Sequence, residues 1–327
     1  TGPPSLCIGR SAERLNGSVA ALAWRPMTHL AAVAGVISIS FSAIFMRLAS
    51  PSPATGAFWR AAYALPLLVT AWLTVRSRDD RNRRARLLAF GAGWFLAVDL
   101  NLWQMSIDRI GAGLAVVLAN VQVVVVGGLA WLLHRERPTV AALAVVPVVL
   151  VGVALISGLG RSDAYGSDPI LGTLFGLGAA LAYAGFLLLF RQSNRRVRAP
   201  AWGPILDATA GTAAGSLALA VLDPGFSLAF AWPQHGWLIA LGVLIQAIGW
   251  TLITIALPRL AALETSVVLL LQPMLAIVWA RLVFAEALSP LQWTGVAVVL
   301  GGILVLAVRG TVEIDVRPVS AGAGPGS

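Results

Sequence analysis

Asp99, Trp103, Gln122, Tyr183, Gln246, Trp250 and Gln272 are the residues of this chain best suited to hold a ligand. Each has a polar group, and each lies deep inside a long apolar run. A polar side chain in such a run is expensive in a membrane and usually faces a wet cavity or another polar group. At 100° per residue, Leu96, Asp99, Leu100 and Trp103 share one helix face. Gln246, Gly249, Trp250 and Ile253 repeat that spacing in a later run. An acid, an amide and two indoles on a common axis would suit an amphiphile. Aromatic walls hold its apolar part, while the amide and the acid meet its polar groups. The competing reading is glue between helices, worth about 0.6 kcal/mol per polar contact in a membrane. Ser38, Ser40 and Ser42 fit that second reading, and Asn101, Gln104, Asn120 and Thr254 are open to either.

Other chemistries find no support. The chain has no lysine, so it has no phosphate-binding G-x-x-x-x-G-K-[ST] loop. It has no H-E-x-x-H pair, and His29, His134 and His235 all fall at expected helix ends, where an interfacial role is expected. Cys7 is the lone cysteine, which excludes an intramolecular disulfide and a cysteine metal site. No nucleophile sits with a base, and no cofactor or metal is implied.

The elements that carry the polar residues read as membrane helices. Hydrophobic residues make up 58% of the chain and charged residues 11%, with a mean hydropathy of +0.84. A soluble chain carries about 25% charge. The expected spans are 28–50, 54–75, 87–106, 111–133, 138–157, 170–190, 201–222, 236–257, 264–283 and 288–308. Each has about 20 mostly apolar residues, enough to cross roughly 30 Å of hydrocarbon. Residues 201–222 are the weakest, with Asp207 inside. No cleavable leader is evident; residues 1–27 and 309–327 are read as cytoplasmic tails. Trp24, Trp202, Trp232 and Trp237 fit an aromatic belt, Trp94 and Trp131 fit belt or packing, and Trp59 joins Trp103 and Trp250 as deep.

The charge sets the orientation. All 23 basic residues are arginine. With the N-terminus inside, only Arg47, Arg60, Arg109, Arg161 and Arg281 lie on or near the outer side. That positive-inside bias puts both termini in the cytoplasm of a multi-pass membrane protein. The net charge of +9 then reports topology and contact with anionic lipids, not nucleic acid.

The chain also repeats itself. Residues 87–157 align without a gap onto 237–307, matching Arg109 to Arg259, Gln122 to Gln272, Glu136 to Glu286 and Gly152 to Gly302. Five spans per half is an odd number, so the halves, 28–157 and 170–308, insert with opposite orientation. Inverted repeats of that kind are common in secondary transporters. The fold class expected is therefore an all-α polytopic membrane protein of ten helices in two inverted five-helix repeats.

At this point the chain resembles a family. LLLQPMLAIVWARLVFAEALSPLQWTGVAVVLGG (269–302) is similar to the second repeat of EamA-type members of the drug/metabolite transporter superfamily. LANVQVVVVGGLAWLLHRERP (118–138) is its weaker counterpart, and AFWRAAYALPLL (57–68) resembles that family's second helix. The chain departs from the pattern at Val123, where the mid-helix proline of repeat two is Pro273. Within the superfamily it looks most like aromatic amino acid exporters of the YddG type.

The resemblance implies export of small metabolites, aromatic or other apolar amino acids first, by alternating access through a central cavity. Amphipathic organic cations or drugs, with Asp99 as counter-ion, stay open as substrates. A non-transporting scaffold or receptor stays open as a different class. Pro273 frees a backbone carbonyl and is the expected hinge. Gly127 and Gly128, with small residues in the sixth and seventh spans, are expected at close helix crossings. Asp99 and Arg60 lie at similar depth, and a buried pair between them would leave downhill export rather than proton exchange. No feature of the sequence fixes the oligomeric state.

Overall fold

The computed structural model describes residues 28–134, 140–158, 164–194, 202–256, 260 and 262–310. The described residues form helices and connecting turns, without a β-strand. In lipid, backbone N–H and C=O groups must be satisfied within the protein, and a helix does so within one segment. The helices are α1 (Thr28–Ala49, with a turn at Phe41), α2 (Pro53–Val75), α3 (Arg83–Ala119), α4 (Gln122–His134) and α5 (Val140–Ile156). They continue as α6 (Pro169–Asn194), α7 (Trp202–Leu219), α8 (Gln234–Ala256), α9 (Ala262–Phe284) and α10 (Pro290–Gly310). Seven of them are long and apolar enough to cross a membrane: α1, α2, α3, α6, α7, α8 and, from Val267, α9. Outward-facing Leu67, Phe95, Leu174, Leu181, Ile248 and Leu282 are exposed, as lipid-facing side chains are.

Local sequence sets the helix ends. The Asn82 side chain accepts from Ala85 N–H at 2.8 Å and caps α3. Ser289 and Gln292 cap α10 reciprocally, Gln292 N–H donating to Ser289 Oγ and Ser289 N–H to Gln292 Oε1, with Pro290 in the first turn. The same Gln292 amide donates to the Ile156 and Tyr165 carbonyls and ties the end of α5 to α10. The start of α2 is capped from afar, as Ala54 N–H donates to Asp223 Oδ2 at 2.8 Å.

Two features break the regular pattern. In α3, Gly111 has φ 86° and ψ 169°, which separates a helix over 83–110 from one over 112–119. A residue with a Cβ is strained in that region, so glycine belongs there. In α8, residues Leu241–Gly249 form a π-helix, a rare wider turn with i→i+5 bonds that is frequent at functional sites.

Packing centres on α3, which contacts α6 and α7 most, while α5 lies along α10. Gly93 of α3 and Gly211 of α7 let the two backbones nearly touch: a Cβ on Gly211 would run into the Phe90 carbonyl. Such crossings of small residues are a main source of helix association in lipid. Among the described residues no close crossing forms at Gly128, where a Cβ would meet nothing within 4 Å. Backbone contact is instead made by glycines of α3 and α7 and of α5 and α10.

Candidate functional site

The helices enclose a cavity of about 500 Å³. That is within the range of sites for small organic ligands, roughly 300–1,000 Å³. Ile39 and Ser42 of α1, Arg60 of α2 and Asp99 and Trp103 of α3 line it. So do Asn120 at the end of α3, Gln122 and Val123 at the start of α4, Tyr183 and Leu187 of α6, Trp250 and Ile253 of α8, Gln272 of α9 and Ile303 of α10. Six of the seven residues singled out in the sequence thus meet around one space. They come from segments far apart in sequence.

The polar groups of the wall are unevenly satisfied. Asp99 is 7% exposed and Arg60 6%. Arg60 Nε donates to Gln246 Oε1 at 3.0 Å and Nη1 to Ser42 Oγ at 3.1 Å. Trp103 Nε1 and Gln122 Oε1 are buried without a hydrogen-bond partner. Buried polar atoms are nearly always paired, so such orphans ask for an explanation. The remaining wall is aromatic and aliphatic: Tyr183 and Trp250 line it, and Phe186 packs against both rings from behind, with centroids 5.4–6.4 Å apart in the three-ring cluster.

Gln246 itself does not line the cavity. It stands behind Arg60, accepting from it and donating weakly to Thr209 Oγ1 at 3.5 Å. The wheel drawn through 246–253 assumed an α-helix, and residues 241–249 are π-helical. The buried pair expected between Arg60 and Asp99 is also not formed. Among the described residues no ion pair within 4 Å joins them, because two of the guanidinium nitrogens are held by Gln246 and Ser42. Pro273 lies inside α9, beside Gln272.

Both ends of α3 carry ionic clusters, separated by about 40 Å along segment 83–110 at 1.5 Å per residue. At the start, Arg81 grips Asp79 through Nε and Nη2 at 2.7 and 2.8 Å and reaches Asp207 of α7 through Nη1 at 2.8 Å. Trp72 Nε1 also donates to Asp79. Hydrogen bonding from Arg81 holds the Asp79 carboxyl down to about 2. At the far end, Glu286, 3% exposed, accepts from Ala112 N–H at 2.7 Å, from Gly113 N–H at 3.2 Å and from Arg47. Its carboxylate therefore sits on the N-terminus of the helix that follows Gly111, where negative charge is favoured. Glu136, its counterpart in the repeat, lies outside the described residues.

Between Glu286 and the cavity, Phe41 stacks on Trp279 with centroids 4.7 Å apart and Phe45 on Trp237 at 5.6 Å. Trp59 leaves the cavity as well: it stacks on Tyr63 and meets the ring of His235 edge-on. His235, at the start of α8, is buried, with Tyr63 Oη 2.6 Å from Nδ1 and the Ala229 carbonyl 3.0 Å from Nε2. These contacts pin the connection 223–233 over the start of α2.

An all-helical bundle with long apolar spans and a polar-studded hollow among them is the make-up of a polytopic membrane transporter. The comparisons agree: the EamA-like transporter family matches residues 26–158 and again 170–308, and the chain belongs to that family. An uncharacterized transporter of Synechocystis sp. is 27% identical over 236 residues, covering 69% of this chain and 68% of that protein. A crystal structure of a protein with 16% identity has a TM-score of 0.58 and covers 88% of this chain and 99% of its own, which shows a shared fold.

Proposed function

We propose that the chain exports small metabolites, aromatic or other apolar amino acids first, by alternating access to the cavity at Asp99. In this reading α4, α5 and α10 also cross the membrane. That makes ten spans in two inverted repeats, 28–157 and 170–308, with both termini in the cytoplasm of a bacterial inner membrane. The two separate family matches and the ungapped repeat support that arrangement. The cavity carries the functional claim: its wall combines Asp99, Trp103, Gln122, Tyr183, Trp250 and Gln272 with an apolar remainder.

The stacked pairs Phe41–Trp279 and Phe45–Trp237, with the Arg47–Glu286 contact, close the outer end in this topology. Opening requires α1 and α9 to part there, with Pro273 as the bend in α9. A scaffold has no need of a hollow with a charged wall, and Asp99 and Arg60 set there without an ion pair would only destabilise it. Organic cations would use Asp99 but would face Arg60 in the same wall.

Counterflow in proteoliposomes tests the reading. Vesicles loaded with unlabelled phenylalanine are expected to take up labelled phenylalanine transiently, without an ion gradient. Trp250→Ala is expected to abolish this while leaving the folded yield intact. Absence of counterflow with every apolar amino acid would refute the substrate class.

A further inference from the structure

Two opposite charges share the wall of the cavity without touching. Asp99 and Arg60 lie within electrostatic reach of each other, yet no ion pair joins them. Arg60 is held by neutral partners only, Gln246 and Ser42, which fix its plane but leave its charge uncompensated. Its second terminal nitrogen, Nη2, donates to none of the described residues. The Asp99 carboxyl accepts from none of them either. Burying two such groups in a membrane protein is costly unless something else pairs with each.

The cavity therefore offers an unused charged donor, Arg60 Nη2, together with an unused charged acceptor, the Asp99 carboxyl. A cation alone would leave the donor unpaired, and an anion alone would leave the acceptor unpaired. A ligand carrying both charges on one small head satisfies both. The aromatic and aliphatic side chains of Tyr183, Trp250, Leu187 and Ile253 line the same cavity and would surround an apolar tail.

We propose that the cavity selects zwitterions, with Arg60, oriented by Gln246 and Ser42, taking the substrate carboxylate and Asp99 its ammonium. This rests on the transport reading above and assigns the group recognition within it. A ligand lacking either charge leaves one buried protein charge unpaired. Such a loss weakens binding by about 30-fold or more, since it typically costs at least 2 kcal/mol and each 1.4 kcal/mol is a factor of ten.

The test is calorimetric titration of the purified full-length protein with phenylalanine, with phenethylamine, which lacks the carboxylate, and with 3-phenylpropionate, which lacks the amine. The wild type is expected to bind phenylalanine at least about 30-fold more tightly than either analogue. Asp99→Asn is expected to collapse the gap to 3-phenylpropionate and keep the gap to phenethylamine. Arg60→Gln is expected to do the reverse, and Arg60→Lys to keep the wild-type order. Where Arg60→Gln fails to fold, the Asp99→Asn result decides alone.

Parallel loss of affinity for all three probes in folded Asp99→Asn, or phenethylamine binding the wild type as tightly as phenylalanine does, would overturn the assignment while leaving transport standing. If no zwitterionic amino acid binds the wild type at all, the transport reading falls with it.

Discussion

Glu286→Gln removes one charge and almost no volume, and it should destabilise the protein by about 3 kcal/mol. The carboxylate accepts two backbone N–H bonds at the start of segment 112–119 and one bond from Arg47. A hydrogen bond to a charged group is worth about 1.5–3 kcal/mol and a neutral one about 0.5–1.5. Each backbone bond therefore loses about 1 kcal/mol. The amide NH₂ of the glutamine must also face a donor, either Gly113 N–H or the guanidinium. Arg47 is 30% exposed in its side chain and still reaches water, so its share is discounted to about 1 kcal/mol. At about 2 °C per kcal/mol for a protein of this size, the midpoint of thermal unfolding in detergent should fall by about 6 °C. Arg47→Met should cost less, and the double variant should cost less than the two together, because both act on one contact. A fall below 1 °C for Glu286→Gln, or strict additivity, would refute the claim that this carboxylate joins α1, α3 and the α9–α10 connection.

Three more outcomes follow from the geometry. Because Arg81 depresses Asp79, the stability that pair contributes is fully present above the ordinary carboxylate value near 4 and is lost as pH falls toward about 2. Asp79→Asn should therefore flatten the pH dependence of unfolding between about pH 4 and 2, and an unchanged slope would contradict it. Gly211→Ala should lower stability by about 2 kcal/mol, because its Cβ meets the Phe90 carbonyl and α3 and α7 must part; an unchanged midpoint would contradict the crossing. In a Cys7→Ser background, Arg84→Cys should react with an impermeant thiol reagent only from inside and Leu228→Cys only from outside, and the reverse pattern would overturn the orientation.

The helices were legible because membrane burial writes itself into long apolar runs; the start of α3 was not, because Asn82 caps it at Arg83, four residues before the apolar run at 87. Asp99 and Trp103 were legible as a cavity face because segment 83–110 is a regular helix, for which the 100° wheel holds. Gln246 was misplaced because nothing in LGVLIQAIG marks a π-helix; the wider turn is stabilised from outside, with Ser38 Oγ donating to the Leu244 carbonyl at 2.8 Å. Arg60 was seen as a partner for Asp99, but which neighbour wins a guanidinium depends on distances no spacing encodes. Asp79 and Arg81 lie within RSRDDRNRRAR, a run of charge in which no spacing singles them out, and only the fold brings Asp207 against Arg81. For Glu286 the sequence held one hint, the glycine of the RIGAG stretch, whose positive φ makes room for the carboxylate.

The central claim is that the hollow at Asp99 is a substrate path open to each side in turn. Val123→Cys in a Cys7→Ser background places a thiol on the cavity wall. In sealed vesicles of known orientation, an impermeant thiol reagent should modify it from the cytoplasmic side and also, more slowly, from the outer side. Phenylalanine at saturating concentration should slow both reactions. Modification from neither side would mean a packed interior, and rates indifferent to every apolar amino acid would mean that none of them binds there; either result would contradict transport of these substrates through this cavity.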